Sequence, residues 1–271
     1  MNDTEPLRFF FVHVMKTGGT SFAFQIQQHF EPDEIYPSAE DRRNALAPYA
    51  SVPTMADLSA ERRARIRVYT GHVPYLASQL LGIDVVTLTL LRDPVDRTIS
   101  MLKHVRREFE KFGGLELDEI YDDDFVFEHF VENNQTKVFA LTQEERASAI
   151  AASSPTPAVA AHLLEPQVSA GPKDRPRRIA INDQRFEQAK SNLARVDVLG
   201  LSERYGDFLD ELHTRYGWWP EGPKKPAQAN ISTESWAASP ELRRRIARDN
   251  SYDMAFYEYA KELLEQRPRS Q

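Results

Sequence analysis

A glycine-containing loop between a hydrophobic segment and a predicted helix start is the feature that most constrains how this chain can fold. Residues 9–14 are apolar and rich in aromatic and β-branched side chains, which predicts a short buried β-strand. The loop that follows reads Lys16-Thr17-Gly18-Gly19-Thr20-Ser21. The two glycines allow a tight turn, and Thr20 and Ser21 are residue types that begin helices. The sequence therefore predicts a strand, a turn and a helix in immediate succession.

This strand–turn–helix unit predicts a binding site for an anion. The free backbone N–H groups of a helix N-terminus and the positive end of its dipole converge on one point, and Lys16 adds a full positive charge there. A phosphate or a sulfate is the expected ligand. The nucleotide-triphosphate loop G-x-x-x-x-G-K-[ST] matches poorly, because its glycines precede the lysine. A plain Gly-Gly turn without a ligand is the alternative.

A second phosphate-binding segment is predicted where another buried strand ends. Residues 85–91 are continuously apolar or β-branched, as parallel strands are, and they lead directly into Arg92. Asp93 and Pro94 are a typical helix start, which places Ser100 in the second turn, back toward the strand end. A guanidinium fork matches phosphate geometry, and a hydroxyl beside it adds a further contact. Alternatively, Arg92 pairs with Asp93 or a neighbouring aspartate and braces the helix start.

A histidine between these two segments is the candidate proton acceptor. His72 follows a predicted strand and Gly71, where the backbone approaches closely and a side chain can enter a cleft. Its ordinary pKa, near 6.5, suits proton transfer. A histidine with a purely structural role is the alternative. Lys16, His72 and Arg92 each follow the carboxyl end of a predicted strand, so in a parallel sheet all three are expected at one edge.

The loop K-T-G-G-T-S after a hydrophobic strand resembles the 5′-phosphosulfate loop of the sulfotransferases, which use 3′-phosphoadenosine 5′-phosphosulfate (PAPS) as donor. The segment R-D-P-x-x-R-x-x-S at residues 92–100 is similar to the one that holds the donor's 3′-phosphate in that family. The Gly71-His72 pair resembles that of the glycan O-sulfotransferases, above all the uronosyl 2-O-sulfotransferases of heparan sulfate. In those enzymes the histidine is the proposed general base.

The resemblance extends over most of the chain. The segment A-K-x-N-L at residues 189–193 lies in a predicted helix, and G-L-x-E at residues 200–203 links a predicted strand to another helix. Residues 246–264 resemble the family's terminal helix. These similarities place the chain closest to the glycan 2-O-sulfotransferase branch, as a soluble member of the bacterial type.

The resemblance implies an enzyme, a PAPS-dependent O-sulfotransferase with a single domain over residues 1–271. The implied fold is α/β, a P-loop-like three-layer fold with a central, mostly parallel sheet flanked by helices, and the alternation of strands and helices independently favours it. PAPS is the implied co-substrate, adenosine 3′,5′-bisphosphate the product, and no metal is required. Lys16 and His72 are the implied catalytic residues. The implied donor-binding residues are Lys16, Thr17, Gly18, Gly19, Thr20, Ser21, Arg92 and Ser100.

Three positions depart from the heparan sulfate enzymes. His13 and Met15 stand where those enzymes carry an arginine and a proline, and Thr70 replaces a histidine two residues before His72. Because the family uses some of these groups to bind its acidic sugar, heparan sulfate itself is not the expected acceptor. A hydroxyl of another glycan or of a glycosylated metabolite is expected, with a small-molecule alcohol as the open alternative.

Composition narrows the setting and the partners. The chain has no cysteine, which excludes disulfides and thiolate chemistry. Its first residues lack the pattern of a secretory signal and no apolar run has the length of a membrane span, so we expect a cytoplasmic protein without a membrane partner. The net charge of −7 argues against nucleic-acid binding. Related enzymes often self-associate, so a homo-oligomer is an open alternative.

Two loops and two rival functions complete the predictions. Residues 149–178 are rich in Ala, Pro and Ser, which predicts a loop insertion that is either a substrate lid or a tether. Residues 221–232 match the position of a nucleotide-covering loop in the family.

The run Asp122-Asp123-Asp124 is interpreted as the acidic start of a helix and not as a metal site. A P-loop nucleotide kinase or hydrolase and a non-catalytic glycan-binding relative are the rival functions.

Overall fold

The structure is a computed structural model that describes residues 6–44, 55, 58–142, 180–222 and 237–267. The predicted loop insertion at residues 149–178 lies outside the described residues. The same is true of the predicted nucleotide-covering loop, apart from Glu221 and Gly222 at its start.

Five parallel strands form a central sheet. They are β1 (Phe9–Val12), β2 (Ile35–Tyr36), β3 (Val68–Gly71), β4 (Val86–Leu91) and β5 (Val198–Leu201). Their spatial order is β2-β3-β1-β4-β5, and every neighbouring pair is parallel. In the register, Phe9 of β1 lies between Val68 of β3 and Val86 of β4. The central strand β1 is buried along its whole length, which is why it contains only apolar residues.

Helices connect the strands and flank the sheet. They are α1 (Gly19–Gln27), α2 (Ala39–Asn44), α3 (Ala60–Arg65), α4 (Leu76–Leu80), α5 (Pro94–Glu108), α6 (Leu117–Tyr121), α7 (Asp124–Val126), α8 (Asn134–Phe139), α9 (Asp183–Ala194), α10 (Tyr205–Tyr216), α11 (Pro240–Asp249) and α12 (Ser251–Gln266). A π-helix (Phe127–Val131) follows α7. Within the described ranges, none of these helices combines the length and apolar character needed to cross a membrane.

Alternate residues of β1 enter two different cores, one on each face of the sheet. Phe10 packs in a cluster with Leu193 of α9 and Phe256 of α12. Phe11 packs in the other cluster with Phe22 of α1. Side chains alternate between the two faces of a strand, so two separate cores on one strand require helices on both faces. The three-layer α/β fold with a parallel sheet, predicted from the sequence, is therefore confirmed.

The predicted terminal helix over residues 246–264 is wrong in one respect, because the structure has two helices there. The helical backbone is interrupted at Asn250, with φ −113° and ψ 41°, between α11 and α12. The buried Asn250 side chain is used on both sides: Oδ1 accepts from the Asn133 N–H at 2.7 Å and Nδ2 donates to the Ile246 carbonyl at 2.9 Å. These side-chain bonds stabilise the break and tie it to the residue before α8.

Candidate functional site

The strand order reverses direction between β1 and β4, and the space outside the carboxyl ends of these two strands is called the crevice. The chain leaves β1 toward β2 and β3, whereas it leaves β4 toward β5 on the other side of the sheet. In open parallel sheets, ligands bind outside the carboxyl ends of two such strands. The loop containing Lys16 follows β1, and Arg92 follows β4 directly. The fold therefore brings the two predicted phosphate-binding segments to one crevice.

The loop after β1 is anchored by a buried side chain, and it leads into backbone amides at the start of α1. The Thr17 side chain is fully buried, and its hydroxyl donates to the Val14 carbonyl at 2.9 Å. Lys16 and Gly18 have positive φ angles of 66° and 102°, and Gly18 precedes α1 in the left-handed conformation without a side-chain cap. Within the described ranges, the first amides of α1 find no acceptor. These are the N–H groups of Gly19, Thr20 and Ser21.

This geometry limits the role of one predicted donor-binding residue. Because its hydroxyl is buried and bonded to the chain, Thr17 has only backbone atoms to offer a ligand. Its carbonyl is already used as well, since it accepts from Ser202 Oγ at 2.5 Å. Thr17 thus anchors the loop through its side chain, and its backbone N–H is the group that it could offer to an anion.

Arg92 reaches across the crevice to the loop. Its Nη1 lies 3.4 Å from the Lys16 carbonyl oxygen. Its backbone is fixed by the buried Gln135 side chain: the Arg92 N–H donates to Oε1 at 3.0 Å, and Nε2 donates to the Arg92 carbonyl at 2.8 Å. A single amide side chain thus pairs with both backbone groups of Arg92 and sets the position from which its guanidinium projects.

The alternative in which Arg92 braces the helix start through a nearby aspartate does not match the structure. Asp93 caps α5 by accepting from the Asp96 N–H at 3.0 Å, as the sequence predicts. The Asp96 carboxylate pairs with Arg243 at 2.8 Å. In the part of the chain that the structure describes, neither Arg92 nor Lys16 has a carboxylate within 4.0 Å. Among the described residues, therefore, neither cation at the crevice has a carboxylate at ion-pair distance.

A buried polar network supports Arg92 from behind. Asp253 of α12 accepts from the Gln135 N–H at 3.1 Å and from both the backbone N–H and the hydroxyl of Thr136 at 2.8 Å. Arg97 is fully buried beside it and donates to the Phe130 carbonyl at 2.9 Å. Desolvation lowers the pKa of Arg97 to about 10, against the raising influence of Asp253. Desolvation also raises the pKa of Asp253, which Arg97 counteracts.

His72 follows β3 at the same edge and packs against His13. The two imidazole centroids are 4.1 Å apart, and His72 Nδ1 lies 2.9 Å from the His13 carbonyl oxygen. Because a carbonyl oxygen can only accept, Nδ1 carries the proton, and Nε2 of the neutral ring keeps its lone pair. Desolvation lowers the pKa of His72, and the charge of Lys16 lowers it further, while the bond to His13 opposes them. One side of the residue remains exposed to solvent.

Helix α5 contributes residues that the sequence predictions did not include. Burial lowers the pKa of Lys16, and the nearby charges of Arg107 and Arg92 lower it further, against the opposing influence of Glu108. Burial lowers the pKa of His104, as does the charge of Lys16. Ser100, a predicted donor-binding residue, is half-buried and lies four residues before His104, on the same face of α5. This spacing of four is the sequence signal that places His104 on the face of Ser100.

The Gly19 position tests the contact between the loop and His13. A Cβ atom placed on Gly19 would lie 1.6 Å from His13 Nε2. We therefore expect Gly19→Ala to lower the free energy of unfolding by about 1–3 kcal/mol, as overpacking does, measured by denaturant titration. Gly114→Ala is the matched control, because a Cβ there meets nothing within 4 Å. The double variant His13→Ala with Gly19→Ala should recover most of the loss, and no recovery would contradict the contact.

Other regions of the molecule compete weakly for the functional assignment. Two cavities of about 530 and 820 Å³ open near the amino ends of the strands, where Arg8 and Ile83 line both. They lie at the end of the strands opposite to the crevice. In the described ranges, no group of three or more His, Asp or Glu side chains is arranged to hold a metal ion.

Comparisons with known proteins add no assignment. A scan against models of protein families finds no match, and a search of the curated proteins finds none either.

Proposed function

We propose that this protein is a sulfotransferase that moves the sulfuryl group of PAPS to an acceptor hydroxyl. The observation that carries the proposal is the pair of cations Lys16 and Arg92, neither of which has a carboxylate within 4.0 Å among the described residues. Arg92 Nη1 lies 3.4 Å from the Lys16 carbonyl oxygen, and the amides at the start of α1 find no acceptor in the described ranges. Two positive side chains, three free N–H groups and a helix dipole in one crevice favour a ligand with more than one negative group. PAPS carries negative groups at both the 3′ and the 5′ position of its ribose.

In this proposal the reaction is an in-line displacement at sulfur. The acceptor oxygen forms a bond to sulfur, and the bond from sulfur to the 5′-phosphate oxygen breaks, with its electron pair passing to the phosphate. Lys16 stabilises the charge that grows on that bridging oxygen, and the amides of residues 18–21 hold the 5′-phosphate. Arg92 and Ser100 hold the 3′-phosphate. As in phosphoryl transfer, the rate enhancement comes from positioning and charge stabilisation.

His72 accepts the acceptor's proton in this proposal. The proton leaves the hydroxyl for Nε2, the ring nitrogen that the bond to the His13 carbonyl leaves unprotonated. Surrounding protein and the charge of Lys16 lower the pKa of His72, so the ring stays neutral at physiological pH and able to take a proton. The exposed side of the residue provides the approach for an acceptor. A carbohydrate hydroxyl is the proposed acceptor, with a small-molecule alcohol as the alternative.

The nucleotide kinase or hydrolase has less support. That function needs a hydroxyl after the lysine to bind Mg²⁺ and an acidic residue at a strand end. The Thr17 hydroxyl is buried and donates to Val14, and the Asp93 carboxylate caps α5. Both candidates are thus engaged in the local structure. A non-catalytic glycan-binding relative differs from the proposal only in turnover, which the experiment below measures.

Ligand binding followed by product analysis tests the proposal. Adenosine 3′,5′-bisphosphate should raise the unfolding midpoint of the chain, and ATP with Mg²⁺ should raise it less, because only a ligand of the native state stabilises it. Incubation with labelled PAPS and a panel of glycans and metabolites should then yield a product with one added sulfate, detected by mass spectrometry. A shift with ATP and Mg²⁺ alone would favour the kinase, and bisphosphate binding without product would favour the non-catalytic relative.

Arg92→Ala should weaken the binding of adenosine 3′,5′-bisphosphate by roughly 10- to 100-fold, the range for a lost charge-assisted hydrogen bond. The affinity for adenosine 5′-monophosphate, which lacks the 3′-phosphate, should fall by less than about threefold. Isothermal titration with both ligands measures the difference. Arg248→Ala, on the exposed side of α11, is the matched control and should change neither affinity. Equal losses of affinity for the two ligands would show that Arg92 does not bind the 3′-phosphate.

A further inference from the structure

We propose that His13 is a positioning residue for His72, through a backbone bond that fixes the His72 tautomer and a ring contact that fixes its orientation. The inference rests on the proposed function, in which His72 accepts a proton. Its geometric basis is independent of that function, because it consists of contacts between residues at the carboxyl ends of β1 and β3.

The first contact involves the backbone of His13. Its N–H donates to the Gly71 carbonyl at 3.2 Å, which extends the pairing of β1 with β3 by one bond. Its carbonyl accepts from Nδ1 of the His72 ring at 2.9 Å. In a parallel ladder, this carbonyl would next accept from a backbone N–H of the partner strand. The imidazole takes that place, so the orientation of His72 is set by the end of the central strand.

The second contact involves the His13 ring, which is enclosed on three sides. It stacks on Phe11 with centroids 5.2 Å apart and lies 4.1 Å from His72. On the third side it occupies the space that any side chain at residue 19 would need, since a Cβ on Gly19 would lie 1.6 Å from Nε2. Phe11 and the start of α1 therefore hold the ring beside His72, and it lies between His72 and Gly19.

Burial and the charge of Lys16 favour the neutral form of His72. Lys16 and His13 face it from the loop after β1, and His104 faces it from α5. Burial lowers the pKa of His13 well below its ordinary value, and the charges of His72 and Lys16 lower it further. A neutral His13 excludes water from one side of His72 without supplying a negative charge that would hold a proton. His72 therefore remains a base at a lower pH than an ordinary histidine.

Two substitutions in the full chain separate a positioning role from a catalytic one. His13→Ala opens the enclosed space to water, so the pKa of His72 should rise toward 6.5. The acid limb of the kcat/KM profile should move to higher pH by the same amount, and kcat should fall roughly 10- to 100-fold from loss of orientation. His13→Phe keeps a ring in the space, so it should retain the low His72 pKa and most of kcat.

The His72 pKa is measured by NMR titration of the imidazole signals without donor or acceptor, with the His72 signal identified by its loss in His72→Asn. An unchanged His72 pKa in a folded His13→Ala variant would overturn the proposal. So would a His13→Phe variant as inactive as His72→Asn, because His13 would then be the proton acceptor itself. Failure of the proposed function has a different signature: no product from the unsubstituted chain, with the titration difference intact.

Discussion

Replacing His72 with asparagine should lower kcat by roughly two to four orders of magnitude, the usual contribution of a positioned general base. Asparagine is chosen because its side-chain amide can still donate to the His13 carbonyl, as Nδ1 does at 2.9 Å. The local structure is thus kept while the lone pair of Nε2 is removed. Initial rates with PAPS and the best acceptor from the product screen measure the effect.

Donor binding provides the control for this variant. His72 is at the end of β3, whereas the proposed donor contacts come from the loop after β1 and from Arg92 after β4. The affinity for adenosine 3′,5′-bisphosphate should therefore stay within about twofold of that of the unsubstituted chain. If the variant keeps full turnover, His72 is not the base. If it loses bisphosphate affinity in proportion to kcat, the substitution has disturbed the donor site.

Asp253→Ala should be the most destabilising of the proposed single substitutions, with a loss of about 3–5 kcal/mol in the free energy of unfolding. The carboxylate is 1% exposed and accepts from two backbone N–H groups and the Thr136 hydroxyl. Its removal leaves those donors buried without an acceptor and takes away the negative charge that partly compensates the buried Arg97. A loss of this size is a large share of the stability of a typical domain. Urea titration followed by circular dichroism measures it.

The same helix offers the matched control. Glu258 is exposed on α12 and pairs with Lys261 one turn later. Glu258→Ala should leave the unfolding midpoint unchanged, because exposed ion pairs contribute little. If Asp253→Ala also left the midpoint unchanged, Asp253 would not be the buried acceptor for α8. A smaller bisphosphate affinity in the still-folded fraction of Asp253→Ala is expected too, since Gln135 joins Asp253 to the backbone of Arg92.

The parts of the site that could be predicted from the sequence are those encoded by short segments. A run of apolar residues predicts β1, and the lysine and glycines that follow it predict an anion loop; the same reasoning applies to β4 and Arg92. Because the strands are parallel, the carboxyl ends of β1, β3 and β4 meet at one edge, which places Lys16, His72 and Arg92 there. The predicted strands at β1 and β4 differ from the observed ones by one or two residues, as for β1, which ends at Val12 and not at residue 14. Strand β2 has no counterpart in the sequence predictions.

The parts that could not be predicted depend on residues far apart in the chain. Gln135 is 43 positions from Arg92 and 118 from Asp253, so no local pattern joins them. In the sequence, His13 differs from the residue of the heparan sulfate enzymes, but nothing local indicates its contacts. Its proximity to Gly19 and His72 follows from the packing of two strand ends. The resemblance of the loop implies that Thr17 binds the donor. Only the structure places its hydroxyl on the buried side.

Ser202 at the end of β5 has a consequence for ligand selection. Its hydroxyl oxygen lies 2.5 Å from the Thr17 carbonyl and 3.2 Å from that of Leu91, so one side chain touches the residues adjoining both Lys16 and Arg92. The backbone segments that carry the two cations are therefore joined through one hydroxyl. In the proposed function each cation binds one phosphate of the donor, so we expect a regioisomer with its phosphates at another spacing to bind more weakly.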